Sequence, residues 1–139
     1  MMPMEFHRGR LLDHVHLRVK DLQRSHDFYQ TVLAILGFTL SPDTPHYFAC
    51  DELFVSPAGD DPPTAAVHIA FQTSSRAAVD EFHKAALAAG AIDNGAPGER
   101  DYHPGYYGAF VRDPDGNNIE AVYHGPNRRS ADSVVVRPA

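Results

Sequence analysis

An internal repeat constrains this chain of 139 residues more than any other feature of its sequence. His14 and Phe28 reappear as His68 and Phe82, each 54 positions later. The residues around both pairs follow the same order of residue types. The repeat predicts two similar modules, each of about 55 residues, rather than one continuous architecture.

Each module opens with a strand-like segment that is followed by a helical pattern. Residues 14–19 and 66–72 alternate polar and apolar residues, as a half-buried strand does. Asp21 in the first module, and Ser74 or Ser75 in the second, can cap the helix that follows. The helices are expected over 22–36 and from Ser74 or Ser75 to Gly90, with Gly37 and Gly90 as the residues that end them.

Short strand-like segments and tight turns follow each predicted helix. The turn at 113–116, Asp-Pro-Asp-Gly, predicts a hairpin, because Pro fixes φ and Gly accepts a positive φ. Strands are expected over 38–40, 46–50 and 53–56 in the first module, and over 106–112 and 118–123 in the second. Each half is therefore interpreted as a βαβββ module.

The strands of the two modules can be aligned with each other. Residues 47–50 then correspond to 107–110, and residues 53–55 correspond to 119–121. Phe54 thus takes the position in the first module that Glu120 takes in the second.

The segment 57–64 is rich in Pro and Asp, which is typical of a loop between modules. One module alone would bury only one sheet face under one helix, which is a marginal core. We therefore expect one α+β domain over 11–124, with module one at about 11–58 and module two at about 65–124. Residues 1–10 and 125–139 are expected to be terminal extensions.

The composition limits the kinds of molecule that the chain is expected to bind. The chain has 12 Lys and Arg against 18 Asp and Glu, a net charge of −6, which opposes attraction to nucleic acid or to an anionic membrane surface. No apolar run approaches the roughly 20 residues of a spanning helix, and residues 1–10 lack the apolar stretch of a signal peptide. We expect a cytoplasmic protein. A single cysteine, Cys50, leaves His and carboxylate groups as the ligands for any metal.

Three polar residues of the predicted strands could meet at one point. His14 and His68 hold equivalent positions in the repeat, and Glu120 lies between apolar neighbours. A lone strand histidine is more often structural than a ligand. Two at one repeat position are harder to dismiss, and a buried glutamate without a partner would be costly. If the polar faces of the modules meet, the three residues form a facial triad with open positions on a divalent cation.

Three segments resemble motifs of the vicinal oxygen chelate superfamily, which includes glyoxalase I, extradiol dioxygenases and bleomycin-resistance proteins. They are residues 14–29, 67–71 and 109–120, and the similarity spans about residues 11–124. The resemblance implies two tandem βαβββ modules that form a cupped mixed sheet with helices on the outer face. It places His14, His68 and Glu120 at metal-ligand positions, and it implies a homodimer.

One position departs from the glyoxalase pattern. Those lyases carry a fourth ligand, usually Glu, on the last strand of the first module, where the alignment places Phe54. A Phe side chain cannot bind a metal. A register shift of two residues would place Glu52 there instead. With Phe54 the metal keeps three protein ligands, as in the extradiol dioxygenases.

Other side chains are candidates for proton transfer and substrate contact. His103, Tyr106 and Tyr107 lie in a segment with Gly and Pro, where loops commonly line a pocket, although such aromatic residues often only pack. Arg18 shares a face with His14 and could bind an anionic group or pair with an acid. We predict Glu120, His103 and Tyr107 as catalytic residues, and His16, Arg18, Phe54 and Tyr106 as substrate-binding residues.

The sequence thus predicts an enzyme that uses one divalent metal ion on a small molecule with two adjacent oxygens. Two chemistries stay open, a glyoxalase-like lyase or isomerase and an extradiol-type dioxygenase. Fe, Mn, Ni, Co and Zn all accept these ligands, so the donor set does not choose the metal. The alternative is a binding protein without catalysis, similar to the bleomycin-resistance proteins, which generally lack the ligand set.

Overall fold

The computed structural model describes residues 5–41 and 44–139, and within these it contains two helices and nine strands. The helices are α1, Leu22–Ile35, and α2, Arg76–Ala88. The strands are β1 Phe6–Arg8, β2 Val15–Val19, β3 Phe48–Cys50, β4 Leu53–Pro57, β5 His68–Gln72, β6 Ile92–Glu99, β7 Tyr107–Arg112, β8 Asn118–Tyr123 and β9 Val134–Val136. Neither helix is long and apolar enough to cross a membrane.

The predicted α+β architecture of two modules is confirmed. The first sheet has the order β2-β4-β3, and the second has the order β5-β8-β7-β6. In each sheet the first strand of the module lies parallel to the last, and the last lies antiparallel to the strand before it. The duplication seen in the sequence is therefore a duplication of strand order and pairing direction.

The helices begin and end at the residues that the sequence marks. Asp21 and Ser75 each accept a hydrogen bond from the main-chain N–H three residues ahead, both at 3.1 Å. Gly37 and Gly90 follow the two helices with φ of +91° and +93°, a conformation that strains residues with a Cβ. These caps satisfy main-chain groups that a helix end otherwise leaves unpaired.

The core joins the two modules. Both helices cover an apolar sheet face, and α1 also packs against α2. The buried side chains form one contiguous cluster, so neither module stands alone. Its fully buried members include Val19, Val32, Val55, Val79, Phe82, Val111 and Ile119. Because this apolar cluster occupies the helical side, the opposite face of each sheet is left for the candidate site residues.

The turn between β7 and β8 ties the second module to α1. Asp113 is buried, and its carboxylate accepts hydrogen bonds from the N–H groups of Asp115 and Asn117. It also accepts one at 2.6 Å from the hydroxyl of Tyr29, on α1. Burial and the Asp113 carboxylate raise the pKa of the Tyr29 hydroxyl, so this tyrosine donates at neutral pH.

Two strand assignments differ from the prediction. Residues 38–40 form no strand, and Ser41 contributes only an isolated bridge to Ala49. The sequence did not mark β6, which contains Gly95 and Gly98 and pairs with β7 through two register shifts. Gly and Pro are rare inside strands, so propensity alone misses a bulged strand of this kind.

The terminal segments are also partly ordered. β1 and β9 pair with each other antiparallel, as a separate two-stranded sheet. The valines of β9 are exposed.

Candidate functional site

Two neighbouring strands bring His68 and Glu120 together. β5 and β8 are parallel, and their register pairs Ala70 with Glu120, so His68 lies two residues away on the same face. His68 Nε2 and Glu120 Oε1 are 2.9 Å apart. The His68 side chain is 51% exposed, whereas that of Glu120 is only 1% exposed. The pair therefore forms a site in which a buried carboxylate supports an imidazole that small molecules can reach.

The second carboxylate oxygen of Glu120 is held by Tyr106. The Tyr106 hydroxyl donates a short hydrogen bond to Glu120 Oε2. Burial and the neighbouring Glu120 carboxylate raise the pKa of Tyr106 well above its ordinary value. Tyr106 therefore keeps its proton at neutral pH and acts as a donor to Glu120. These contacts compensate the cost of burying a charged carboxylate.

Gly108 makes the space that this arrangement needs. A Cβ atom at Gly108 would lie 2.8 Å from Glu120 Oε2 and 3.3 Å from the Tyr106 ring. Any side chain at position 108 would therefore displace the carboxylate or the ring. Gly108 is part of the site although it supplies no functional group.

The equivalent face of the first sheet is aromatic. The register pairs His16 with Phe54, as it pairs Ala70 with Glu120 in the second sheet. The structure thus places Phe54, and not Glu52, at the position equivalent to Glu120; Glu52 lies in the turn before β4.

Aromatic contacts surround Phe54 on this face. Its ring stacks on Tyr47, with centroids 5.2 Å apart, and contacts the edge of His16 at 4.8 Å. His16 Nε2 also shares a hydrogen bond of 2.6 Å with the Ser56 hydroxyl. The predicted substrate-binding residues His16 and Phe54 are therefore in contact with each other.

One detail of the internal alignment was wrong. The strand pairs are Ala49 with Phe54 and Phe110 with Glu120. Ala49 therefore corresponds to Phe110, one residue later than the sequence alignment suggested, and Tyr47 corresponds to Gly108. The error arose because the two hairpin turns differ in length, and strand pairing, unlike residue similarity, fixes the register.

His14 lies apart from the other two predicted metal ligands. It stands just before β2, is 60% exposed, and its Nδ1 donates to Asp13 at 2.7 Å. In the described part of the chain, which includes His14, His68 and Glu120, no group of three or more His, Cys, Asp or Glu residues could hold a metal ion. Within one chain the structure brings together His68 and Glu120, and it does not add His14 to them.

The Arg18 side chain contacts residues near the end of the first module. Its guanidinium contacts Asp61 at 3.2 Å and the Ala58 carbonyl at 3.3 Å. This is the pairing with an acid that the sequence left open as one alternative for Arg18.

The loop before β7 places its polar residues in different surroundings. His103 Nε2 lies 2.8 Å from His124 Nδ1, and the two rings stack beside Tyr106. Tyr107, in contrast, donates to Asp80 of α2 at 2.6 Å, on the opposite face of the sheet from Glu120. Of the predicted proton-transfer residues, His103 lies beside the Tyr106–Glu120 contact, and Tyr107 is directed towards the helix.

Sequence reasoning missed two residues beside the site. The Phe110 ring lies 5.9 Å from the His68 ring, and the Arg100 guanidinium lies 5.3 Å from the Phe110 ring. The alternation of β7 could have indicated Phe110, because it is two residues from Gly108 on the same face. Arg100 lies in a segment without periodicity, so no pattern marked it.

Residues 11–121 match the sequence model described as "Glyoxalase/Bleomycin resistance protein/Dioxygenase superfamily". The chain is 33% identical over 131 residues to the uncharacterized protein PA2024 of Pseudomonas aeruginosa, covering 83% of this chain and 89% of that protein.

Solved structures share the fold. A glyoxalase/bleomycin resistance protein from Albidiferax ferrireducens is 30% identical, with a TM-score of 0.67, covering 81% of this chain and 97% of that one. A lactoylglutathione lyase from Agrobacterium tumefaciens is 21% identical, with a TM-score of 0.58 and coverage of 82% and 93%. The second of these shows a likeness in fold alone.

Proposed function

The chain belongs to the glyoxalase/bleomycin resistance protein/dioxygenase superfamily, and we propose that it is an enzyme that uses one divalent metal ion. Its substrate is a small molecule that presents two adjacent oxygens to that ion. The observation that carries the proposal is the His68–Glu120 pair, a nearly buried carboxylate held 2.9 Å from a half-exposed imidazole.

The donor set fits a divalent cation. Imidazole and carboxylate are ligands that Fe, Mn, Ni, Co and Zn all accept. Glu120 Oε2 is already occupied by the Tyr106 hydroxyl, which leaves Oε1 directed towards His68. A partner that orients a metal-binding carboxylate in this way commonly affects metal affinity 10- to 100-fold, to order of magnitude.

The third ligand comes, in this proposal, from a second copy of the chain. β2 and β5 are edge strands of their sheets, and the side chains of His16 on β2, His68 on β5 and His14 just before β2 are exposed. Since His14 does not join His68 and Glu120 within one chain, a homodimer that sets β2 of one copy beside β5 of the other would complete the triad. Each dimer would then hold two sites.

The bound metal would hold two adjacent substrate oxygens and lower the cost of negative charge developing on them. The chain's own residues would do the rest. Tyr106 keeps the Glu120 carboxylate oriented and supplies a proton-bearing hydroxyl at Oε2. His103, paired with His124 beside Tyr106, is the candidate to exchange protons with solvent. The aromatic face of Phe54 and Tyr47 would exclude water from the substrate.

Phe54 bears on the class of reaction. At its position a carboxylate would supply a fourth protein ligand, as in glyoxalase-type lyases, whereas Phe54 leaves three. Three protein ligands favour an extradiol-type dioxygenase over a lyase or isomerase. Identification of the metal separates the two, because iron supports the first chemistry and nickel or zinc the second.

Elemental analysis of the purified protein tests the proposal. We expect near-stoichiometric metal in the wild type and after reconstitution, and little in the His68→Ala and Glu120→Gln variants. His46→Ala and Glu81→Gln, which change exposed residues of the same types, are matched controls and should keep the metal. A wild-type protein that binds no divalent metal under any condition would contradict the proposal and favour a binding protein.

A mixed dimer tests where the third ligand originates. A chain with His14→Ala and a chain with Glu120→Gln each lack one ligand. If the ligands come from two chains, the mixed dimer regains one intact site, made from His14 of the second chain and His68 and Glu120 of the first. Metal content should rise from near zero to about one ion per mixed dimer. If all ligands come from one chain, mixing restores nothing.

A further inference from the structure

Arg100 lies beside the candidate site and has no role in the function proposed above. Its guanidinium carbon is 5.3 Å from the centre of the Phe110 ring, and that ring is 5.9 Å from the His68 ring. Phe110 pairs directly with Glu120 across the sheet, so its side chain shares the face of Glu120. Phe110 thus connects the metal-binding pair to a positive charge.

The Arg100 guanidinium is held by the main chain. It donates to the Ala96 carbonyl at 2.8 Å and to the Glu99 carbonyl at 3.3 Å. A guanidinium has five N–H donors, so several are left without a partner in these contacts. Within residues 5–41 and 44–139 no carboxylate pairs with Arg100; the Glu99 carboxylate pairs with Arg76 at 2.8 Å.

Two glycines make room for this side chain. A Cβ atom at Gly98 would lie 3.1 Å from the Arg100 guanidinium, and one at Gly95 would lie 3.4 Å from it and 2.9 Å from the Phe110 ring. Gly95 and Gly98 of β6 therefore leave space for a guanidinium beside the Phe110 ring.

We propose that Arg100 selects a substrate that carries a carboxylate in addition to its two adjacent oxygens. This inference rests on the proposed function and adds the substrate class to it. The planar guanidinium can bind a carboxylate through two parallel hydrogen bonds. Phe110, between Arg100 and His68, offers an apolar surface for the part of the substrate that joins the carboxylate to the two oxygens.

Calorimetric titration of the zinc-loaded protein tests the inference. The probes are catechol and two of its derivatives, 3,4-dihydroxybenzoate and 3,4-dihydroxyphenylacetate. The two acids carry a carboxylate at different distances from the ring. The wild type should bind at least one of the two acids about tenfold or more tightly than catechol. Arg100→Gln should remove this preference and leave catechol binding unchanged. Arg100→Lys keeps the positive charge but not the planar pair of N–H donors. This variant should retain part of the preference for the acids.

Arg24→Gln is the matched control. Arg24 is exposed on α1, and the helices cover the sheet faces opposite the candidate site. Its replacement removes the same charge from the same chain, so a general electrostatic effect would appear in both variants. The acid preference should survive in Arg24→Gln. Equal preference in the wild type and Arg100→Gln, or none in the wild type, would overturn the inference.

Benzoate separates failure of this inference from failure of the proposed function. It carries a carboxylate but no vicinal hydroxyl groups, and it is titrated into the metal-free protein so that its carboxylate cannot bind zinc. If the protein takes up no zinc and ignores catechol, the proposed function fails. Benzoate binding that is lost in Arg100→Gln would still support a carboxylate subsite at Arg100. Benzoate binding that is absent, or the same in both proteins, would overturn that subsite.

Discussion

The two modules place different side chains at equivalent positions of one scaffold. In the first, Phe54 and Tyr47 stack, with centroids 5.2 Å apart. In the second, Glu120 and Gly108 hold these positions, and the carboxylate occupies the space that a side chain at 108 would take. The pairing of strands is the same in both. The duplicated backbone therefore sets the positions of these side chains, while the residue type at each position differs between the modules.

The turns of the two modules differ in the same way. The first-module turn at Asp51 and Glu52 is short, and Asp51 has a positive φ of 48°. The second-module turn is longer, and its Asp113 is buried and bonded to Tyr29 of α1. The first turn bonds within its own module, where the Glu52 carbonyl accepts from the Val15 N–H, whereas the second also joins the two modules.

Replacing Asp113 by Ala should produce the largest loss of stability. Four groups donate to its carboxylate, from Tyr29, Asp115 and Asn117, and they would be left unpaired in a buried site. We expect the free energy of unfolding to fall by about 3 kcal/mol or more. Urea unfolding measures it. Asp51→Ala is the matched control in the other turn, and a loss as large as that of Asp113→Ala would contradict the distinction between the turns.

Replacing Gly108 by Ala should weaken metal binding without unfolding the protein. The added methyl group would lie 2.8 Å from Glu120 Oε2 and force the carboxylate to move. We expect metal affinity to fall on the order of 10- to 100-fold, measured by competition with a chelating dye. In Gly9→Ala the methyl group would meet nothing nearer than the Leu12 carbonyl oxygen at 3.8 Å, so this variant controls for the loss of a glycine. Unchanged affinity in Gly108→Ala would show that the carboxylate position does not matter.

Replacing Phe54 by Glu makes the first module resemble the second. Loss of the ring contacts with Tyr47 and His16 should lower the free energy of unfolding by about 1–2 kcal/mol. If the aromatic face of one chain meets the metal of the other, the new carboxylate should raise metal affinity. Phe54→Gln provides the neutral comparison. Metal affinity equal in the two variants would place Phe54 away from the metal.

Replacing Asp115 by Asn should have the smallest effect, and its sign depends on pH. Burial and the neighbouring Asp113 raise the pKa of the Asp115 carboxyl above its ordinary value of 3.8, and one of its oxygens is buried without a partner. Folding therefore favours the protonated form, and the wild type loses stability as the pH rises through the raised pKa.

The Asn variant should thus be more stable than the wild type at pH 7, by a few tenths of a kcal/mol, because the Asp115 side chain is only partly buried and solvent screens its charge. The two should be equal below about pH 3.8, where the carboxyl is protonated in both states. Thermal unfolding at pH 3 and pH 7 measures the difference. A larger gain at pH 3 than at pH 7 would contradict the expected sign.

Local sequence patterns were sufficient to predict the strand faces, the helix ends and the correspondence between the two modules. Period-two alternation identified the strand face of Glu120, and the capping residues Asp21 and Ser75 located both helices. The repeat predicted that Phe54 and Glu120 correspond, and the strand register agrees.

Features that depend on tertiary packing could not be predicted from the sequence. The position of His14 relative to His68 depends on how modules pack, which no local pattern encodes. The Tyr106 hydroxyl could have faced solvent, and only the space at Gly108 brings it to Glu120. β6 contradicts strand propensity, so its role in presenting Arg100 emerged only from the fold.

The hydrogen bond from Tyr29 to Asp113 has a consequence for inheritance of function. It fixes the first module against the second, so in the proposed dimer each chain would carry half of one site and half of another at a set separation. If the sites are shared in this way, a cell that makes one intact and one damaged form would assemble mixed pairs. Damage to one residue would disable one site in such a pair and spare the other, so a single faulty gene copy would reduce activity without abolishing it.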